Sequence, residues 1–161
     1  MQLTLKFLYL LSIIFWIGSI FFFSLITAPS IFKVLPKQLA GDLVTDIFPK
    51  YYLISYVCGV VAIVTSLLSW LTGSHSSTAS YLLRVIILVI MLGLAIFAGA
   101  VIRPQALEIR TEMRSLVEDS PRYSELQNRF NALHKTSVLL NSVVFLLGIA
   151  IVLITAYNYK E

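Results

Sequence analysis

Four long runs without a charged residue constrain this chain more than any other feature. They cover residues 7–32, 51–83, 85–102 and 136–159 and hold 26, 33, 18 and 24 residues. A helix needs about 20 mostly apolar residues to cross the roughly 30 Å of bilayer hydrocarbon. The runs are continuously apolar and do not alternate as barrel strands do. They predict an all-α integral membrane protein, a bundle of four transmembrane helices.

The composition excludes the main alternative classes. Of the 161 residues, 58% are hydrophobic and 12% are charged, whereas soluble domains are about 45–50% apolar and about 25% charged. Disorder requires low hydrophobicity and high net charge, and Cys58, the one cysteine, cannot form a disulfide within the chain. The net charge of +4 comes from basic residues lying between long uncharged runs. It therefore indicates a bilayer and no nucleic-acid partner.

The same runs predict how the chain is divided. We expect a single membrane domain over residues 1–161, with spans at approximately 5–28, 51–71, 82–103 and 135–158, an amphipathic loop at 29–50 and an extramembrane hairpin at 104–134. The first span is expected to be retained and to end near Pro29, since proline interrupts helical geometry. The amphipathic loop is expected to lie along the membrane interface as a short helix.

The hairpin is the one substantial polar segment. Apolar residues recur at helical spacing on both sides of residue 120, and Ser120 and Pro121 are typical N-cap and first-turn residues. We expect helix 3 to extend beyond the membrane with a kink at Pro104, and the chain to reverse at Ser120 and return continuously into helix 4. The segment is either a connecting hairpin with solvated charges, or a docking platform for a partner or a gate over a membrane cavity.

Basic residues predict the orientation. Nine of them fall on one side of the predicted membrane, namely Lys33, Lys37, Lys50, Arg103, Arg110, Arg114, Arg122, Arg129 and Lys135. The other side has only Lys6, Arg84 and Lys160. Cytoplasmic loops carry the excess of Lys and Arg. This predicts a cell (inner or plasma) membrane protein with both termini outside and the loops 29–50 and 104–134 in the cytoplasm.

Polar residues at membrane depth are the candidate site, because they are costly there and face the bundle interior. His134, Ser137 and Asn141 follow one another at i, i+3 and i+7 on helix 4. The candidate ligand-binding residues of a cytoplasm-facing pocket are His134, Ser137, Asn141, Arg103, Trp16 and Tyr52. The alternative is that these groups only pack and hydrogen-bond across helices.

Catalytic and metal chemistry have no evident basis in the sequence. The two histidines, His75 and His134, are predicted on opposite sides of the membrane, and the cysteine and three methionines are scattered. The spans contain no carboxylate for a proton relay. We therefore expect no catalytic residue, no metal and no cofactor, and a protein that is not an enzyme. Two motifs, Ser55-x-x-x-Gly59 and Ala95-x-x-x-Gly99, predict close helix packing.

Several short motifs resemble one family of small membrane proteins. One set comprises Pro121, Tyr123, Phe130, His134, Ser137 and Asn141 near the last helix. The other comprises Trp16, Gly18, Pro29, Phe32, Phe48, Pro49, Tyr51 and Tyr52 in the first half of the chain, together with Arg103 and Pro104 at the end of helix 3. With these motifs the chain resembles the family of human transmembrane protein 205. The resemblance implies a four-helix fold distantly similar to CopD-like copper-resistance membrane proteins. For some members it implies a link to metal or drug tolerance, and it implies no agreed reaction.

Three functions follow as hypotheses. The first is a multi-pass membrane protein without catalytic chemistry, an accessory subunit or assembly partner of a membrane complex. The second is a small oligomeric transporter or metal- or drug-tolerance protein that uses the cytoplasm-facing pocket. The third is a haem-binding membrane protein with His134 as axial ligand. The expected partners are the lipid bilayer and either another membrane protein or a second copy of the chain.

Overall fold

The computed structural model describes residues 1–73, 78–118 and 120–158. Its elements are α1 (Gln2–Phe22), a first π turn (Phe23–Thr27), α2 (Ala28–Val34), α3 (Lys37–Leu71), α4 (Thr78–Phe97), a second π turn (Ala98–Ile102), α5 (Arg103–Met113) and α6 (Pro121–Asn158). Within these residues, four segments are long and apolar enough to cross a membrane: Gln2–Val34, Lys37–Leu71, Thr78–Met113 and Pro121–Tyr157, here called the first to fourth spans. The predicted fold class, an all-helical protein with four membrane-spanning helices, is confirmed.

The four spans form a closed bundle. α1 packs along α3, α3 along α4 and α4 along α6, and a smaller contact between α1 and α6 completes the ring. Its centre is filled by large side chains that are at most 2% exposed: Trp16, Leu88, Met91, Val144 and Ile151. The outer faces of the same helices are apolar and exposed. Because lipid tails are as apolar as these faces, the bundle is held by close packing of its interior.

The helix of the first span does not end near Pro29, and the prediction that the chain leaves helical geometry there is wrong. The helix continues through Pro29 to Val34, directly after the first π turn. Proline disrupts an α-helix interior because it lacks an N–H and its ring meets the carbonyl four residues earlier. Pro29 lies in the first turn of α2, a position where proline is tolerated. The chain leaves helical geometry only at Leu35 and Pro36, which have extended backbone angles.

The third span repeats this arrangement. Its π turn, Ala98–Ile102, ends two residues before Pro104, as Phe23–Thr27 ends two residues before Pro29. The π turn stands where the sequence predicts a kink. A π turn forms i→i+5 hydrogen bonds, so it changes the backbone spacing just where the proline ring needs room.

Residues 37–50 belong to the second span. They form the first turns of α3, which runs unbroken through Pro49 to Leu71. Pro36 occupies the N-cap position and separates α3 from α2. The structure thus joins most of the predicted amphipathic loop to a long helix instead of forming a separate short one. A contact from α5 explains why.

Arg110 of α5 holds the first turns of α3. Its Nη1 donates to the Gly41 carbonyl and the Thr45 hydroxyl, both at 2.5 Å. Its Nη2 donates to the Gln38 carbonyl at 3.0 Å and to Asp42 Oδ1 at 2.9 Å. A Cβ at Gly41 would lie 2.6 Å from Arg110 Cζ, so the missing side chain makes room for the guanidinium. The two segments that project from the same end of the bundle are therefore packed together.

Loss of this guanidinium should loosen the start of α3. Hydrogen bonds to charged groups contribute about 1.5–3 kcal/mol each when well buried. The Arg110 side chain is 19% exposed, and solvent screening reduces that contribution. We expect Arg110→Gln to lower the free energy of unfolding by about 1–2 kcal/mol and to speed amide hydrogen exchange across residues 37–45. Arg129→Gln, on the exposed face of α6, is the control; equal exchange in both variants would contradict the role of Arg110.

The hairpin is closed at its turn by a helix cap. The Tyr123 N–H donates to Ser120 Oγ at 3.2 Å, which confirms the predicted cap. Arg122 pairs with Glu112 of α5 at 2.8 Å across the turn, and Leu126 is fully buried. From Pro121, α6 runs continuously for 38 residues. The second half of the hairpin and the fourth span are thus one continuous helix.

Candidate functional site

A network of hydrogen bonds joins α3 to α6 inside the bundle. The Tyr51 hydroxyl donates to Asn141 Oδ1 at 2.8 Å, and the hydroxyls of Tyr52 and Ser137 lie 3.4 Å apart. Asn141 Nδ2 also donates to the Ser137 carbonyl at 3.0 Å. Tyr51 and Tyr52 are buried, and Ser137 and Asn141 are half-buried. We call these four residues the polar cluster.

Helix geometry explains why the polar cluster forms. Ser137 and Asn141 are four residues apart and therefore lie on one face of α6, one above the other. A polar group in hydrocarbon without a partner costs several kcal/mol. The two tyrosine hydroxyls therefore bond across the helices to Asn141 Oδ1 and to the Ser137 hydroxyl, and Asn141 Nδ2 bonds to the Ser137 carbonyl within α6. The cluster has hydroxyl and amide groups and no charge, so its chemistry is hydrogen bonding to neutral polar groups.

Aromatic rings surround the polar cluster on the α3 side. They belong to Phe23, Phe48, Tyr51, Tyr52 and Tyr56, and the centroids of neighbouring rings are 5.2–6.3 Å apart. Aromatic pairs at these separations attract one another beyond simple area burial. This aromatic cluster fixes the direction of the Tyr51 and Tyr52 hydroxyls.

Gly99 supports the aromatic cluster from the opposite helix. The ring of Tyr52 lies so close that a Cβ at Gly99 would be 2.7 Å from Tyr52 Cγ. Gly99 lies in the second π turn, and Phe23 is the first residue of the first π turn. Both π turns therefore border the aromatic cluster. Such turns occur frequently at functional sites; the sequence analysis missed them, although the two prolines that follow were the available signal.

Arg103 lies at the edge of the aromatic cluster. It directly follows the second π turn and is half-buried. Its guanidinium is within electrostatic reach of the Tyr56 hydroxyl. The predicted position of Arg103 at the mouth of the third span thus places a positive charge beside the aromatic rings.

Trp16 lies deeper in the bundle. Its ring is fully buried against Gly59, where a Cβ would be 3.0 Å from Trp16 Cη2. Gly59 is seven residues beyond Tyr52, which is about 10 Å along a helix. The indole N–H has no hydrogen-bond partner among the described residues. Trp16 is therefore a core residue separated from the polar cluster by about two turns of α3.

His134 is exposed. Its ring is parallel to that of Phe130 on the same helix, with centroids 6.5 Å apart and planes 5° apart. Of the six predicted site residues, the structure joins Tyr52, Ser137 and Asn141 and places Arg103 beside their aromatic neighbours. It places Trp16 in the core and His134 on the surface. Tyr51, which is not among the six predicted site residues, is also part of the network.

The described residues hold no cluster of metal-binding side chains. Within residues 1–73, 78–118 and 120–158, no three His, Cys, Asp or Glu side chains lie close enough together to hold a metal ion. His75, predicted to lie across the membrane from His134, is outside the described residues.

Residues 11–115 match the protein family described as a domain of unknown function, DUF4149. The match covers well over half of the chain. The chain belongs to the DUF4149 family. Comparisons with curated proteins and with solved structures gave no match. This DUF4149 member is therefore a multi-pass membrane protein whose family name carries no function.

The DUF4149 match divides the candidate site. Trp16, Tyr52 and Arg103 lie inside the matched segment, as do both π turns and the whole aromatic cluster. Ser137 and Asn141 lie beyond it on α6. The polar cluster of this DUF4149 protein thus joins the family segment to the helix that follows it.

A double-mutant cycle measures the link between the two parts. Tyr51→Phe removes a hydroxyl and leaves the Asn141 amide oxygen without its donor, and we expect this to cost about 1 kcal/mol of unfolding free energy. Interhelical bonds of this kind couple by about 0.6 kcal/mol in membranes, which is the coupling expected between Tyr51→Phe and Asn141→Leu. Chemical unfolding in detergent gives the unfolding free energies of the wild type, the two single variants and the double variant. Tyr157→Phe, at an exposed position, is the control, and strictly additive effects would exclude the bond.

Proposed function

We propose that this protein is a non-catalytic accessory subunit or assembly partner of a larger membrane complex. The observation that carries this proposal is the filled axis of the bundle. Trp16, Leu88 and Met91 are fully buried at its centre. A single copy with such a core provides a rigid body and outer surfaces, and these are what a subunit contributes to a complex.

The hairpin is the surface we assign to the partner. α5 and the first turns of α6 form a unit that projects from the bundle and is braced by Arg110 and Arg122. Leu107 and Val117 are apolar and exposed on it. Interfaces combine an apolar centre with a polar rim, and the exposed ion pairs of Arg122 with Glu112 and Glu125 supply polar residues of this kind on the same hairpin.

Gentle purification followed by native mass spectrometry tests this function. We expect a partner protein at fixed stoichiometry with the wild-type chain. The partner should be lost with Val117→Asp and retained with Leu3→Asp, which places the same charge on an exposed apolar residue of α1, in a different part of the molecule. A bare monomer or homodimer from the native membrane would contradict the subunit assignment.

We also propose a more specific family relationship than membership of DUF4149. We assign the chain to the transmembrane protein 205-like group because residues of its two motif sets contact each other. Tyr51 and Tyr52 of the first set bond to Asn141 and Ser137 of the second. The shared motifs thus describe one packed seam between helices.

We further propose a plasma or inner cell membrane orientation with both termini outside. The clustering of basic residues in the two projecting segments supports it. In a Cys58→Ser background, an impermeant maleimide added to intact cells should label Thr4→Cys and leave Glu118→Cys unlabelled. The reverse pattern would overturn the orientation.

A small oligomeric transporter is the second candidate. It is favoured by the two π turns that border the aromatic cluster, since π turns occur frequently at functional sites. Because the axis of one copy is filled, the path would lie between copies. A homodimer whose melting temperature rises with a transported compound, and fails to rise in Tyr52→Phe, would favour this candidate over the subunit.

Haem binding is the third hypothesis, and the residues present do not fit it. His134, the proposed axial ligand, is exposed and stacks on Phe130. A porphyrin needs apolar side chains on both of its faces, and the described surroundings of His134 provide a single ring. We assign no haem chemistry to the chain.

A further inference from the structure

The junction between α2 and α3 exposes several apolar side chains. We call residues 32–39 the elbow. Phe32 is 53% exposed, Val34 76% and Leu39 56%, and Leu43 continues the same surface on α3. Phe32 is the last residue of the uncharged run 7–32, and Val34, Leu39 and Leu43 lie between that run and the next one, 51–83. The lipid contact of a membrane-spanning run therefore does not account for the exposure of these three side chains.

The charges of the elbow are unbalanced at its surface. Both acidic residues of the 28–50 segment are engaged by cations of the protein: Asp42 by Arg110 and Arg114, and Asp46 by Lys50 at 2.5 Å. Lys33 and Lys37 are exposed and form no ion pair with any residue in the described ranges. The elbow thus presents a surface that is both apolar and positive.

The length of the first span sets the depth of the elbow. Its 33 residues extend about 50 Å, which exceeds the roughly 40–45 Å of a bilayer with its headgroups. About 20 residues counted from Phe7 cross the hydrocarbon and end near Ile26. Val34 then lies about 12 Å further along the helix, next to the headgroup layer. The Arg110 contacts hold the first turns of α3 near the same level.

We propose that the elbow binds anionic phospholipid. Phe32, Val34 and Leu39 enter the boundary between headgroups and acyl chains, and Lys33 and Lys37 pair with the negatively charged headgroups. Apolar side chains flanked by lysines are the ordinary means by which a surface segment prefers anionic membranes. This lipid contact is independent of the partner surface on the hairpin.

A fluorescent probe at the elbow tests where it lies. The full chain with Cys58→Ser and Val34→Cys is labelled with an environment-sensitive dye and placed in nanodiscs. In phosphatidylcholine containing phosphatidylglycerol, we expect blue-shifted emission and quenching by spin-labelled lipid, both stronger than in phosphatidylcholine alone. A probe at Glu118→Cys on the hairpin should report water in both. Emission from position 34 that reports water in both lipid mixtures would overturn the proposal and favour a protein partner at the elbow.

A set of charge variants tests the lysines. Binding of fluorescent phosphatidylglycerol and phosphatidylcholine to the detergent-solubilised chain gives a ratio of affinities. We expect Lys33→Gln with Lys37→Gln to reduce this ratio by roughly fivefold per lysine. Arg129→Gln removes one charge from the hairpin, away from the membrane boundary, and should reduce the ratio much less than either single lysine variant. Since all three side chains are exposed, melting temperatures should stay unchanged; an equal loss with Arg129→Gln, or no loss in the lysine double variant, would overturn the proposal.

Discussion

Replacing Trp16 with alanine is expected to lower the free energy of unfolding by about 3 kcal/mol, within the range for large-to-small changes in protein cores. Trp16 is fully buried and packs against Gly59, a position where α3 has no side chain. The hole left by the indole cannot close unless α1 and α3 move together. In a bilayer the loss comes mainly from missing contacts, since helices unfolded within lipid keep their apolar surroundings.

The neighbouring residue supplies the control for Trp16. Phe15 lies one residue earlier on α1 and is exposed on the lipid-facing surface, so Phe15→Ala should change stability little. Trp16→Phe should cost less than Trp16→Ala, because the indole N–H forms no hydrogen bond within the described residues. Unfolding by denaturing detergent, followed by near-ultraviolet circular dichroism, measures all three. Equal effects at positions 15 and 16 would show that Trp16 is not the core of the bundle.

Gly99→Ala is expected to cost about 2 kcal/mol, as overpacking of a filled core does. The new methyl group would meet the Tyr56 hydroxyl and also the Tyr52 ring at Cγ, close to the α3 backbone, where the Tyr52 side chain has little freedom to turn away. The ring must move, and its hydroxyl then leaves Ser137. We therefore expect a second effect, a loss of the coupling between Tyr52→Phe and Ser137→Ala.

Gly93→Ala is the matched control for Gly99→Ala. It lies in α4, and a Cβ at Gly93 would meet nothing within 4 Å. Alanine is the better helix former by about 1 kcal/mol, so this variant should be neutral or more stable. The same unfolding assay compares both glycines. If Gly99→Ala behaved like Gly93→Ala, the contact between the second π turn and the aromatic cluster would be refuted.

The spans could be predicted from sequence because they depend on a local property. A run of about twenty uncharged apolar residues can span the bilayer as a helix whatever residues surround it. The end of the first helix was predicted wrongly near Pro29, because the rule that proline interrupts a helix also considers only the local sequence. A π turn at Phe23–Thr27 changes the setting of that proline, and nothing in the apolar pattern marks such a turn.

The site was partly predictable for a related reason. Helical spacing correctly grouped Ser137 with Asn141, because their shared face is a property of one helix. His134 falls close to the same face by that spacing and is nevertheless exposed. Whether a residue on that face is buried depends on which neighbouring helices pack against α6 at that position. The Arg110 junction was missed for the same reason, since its partners are about 70 positions away in the chain.

The second π turn has a consequence for the part of the third span beyond it. Each residue of an α-helix adds about 100° of rotation, so deleting one residue from Ala98–Ile102 would turn α5 by about that angle relative to α4. Arg110 would then point away from Gly41, while the packing of α4 above the turn would be unchanged. The number of residues in the second π turn thus sets the direction in which α5 faces, independently of how α4 packs. A change of one residue in this turn would rotate α5 and leave the packing of α4 unchanged.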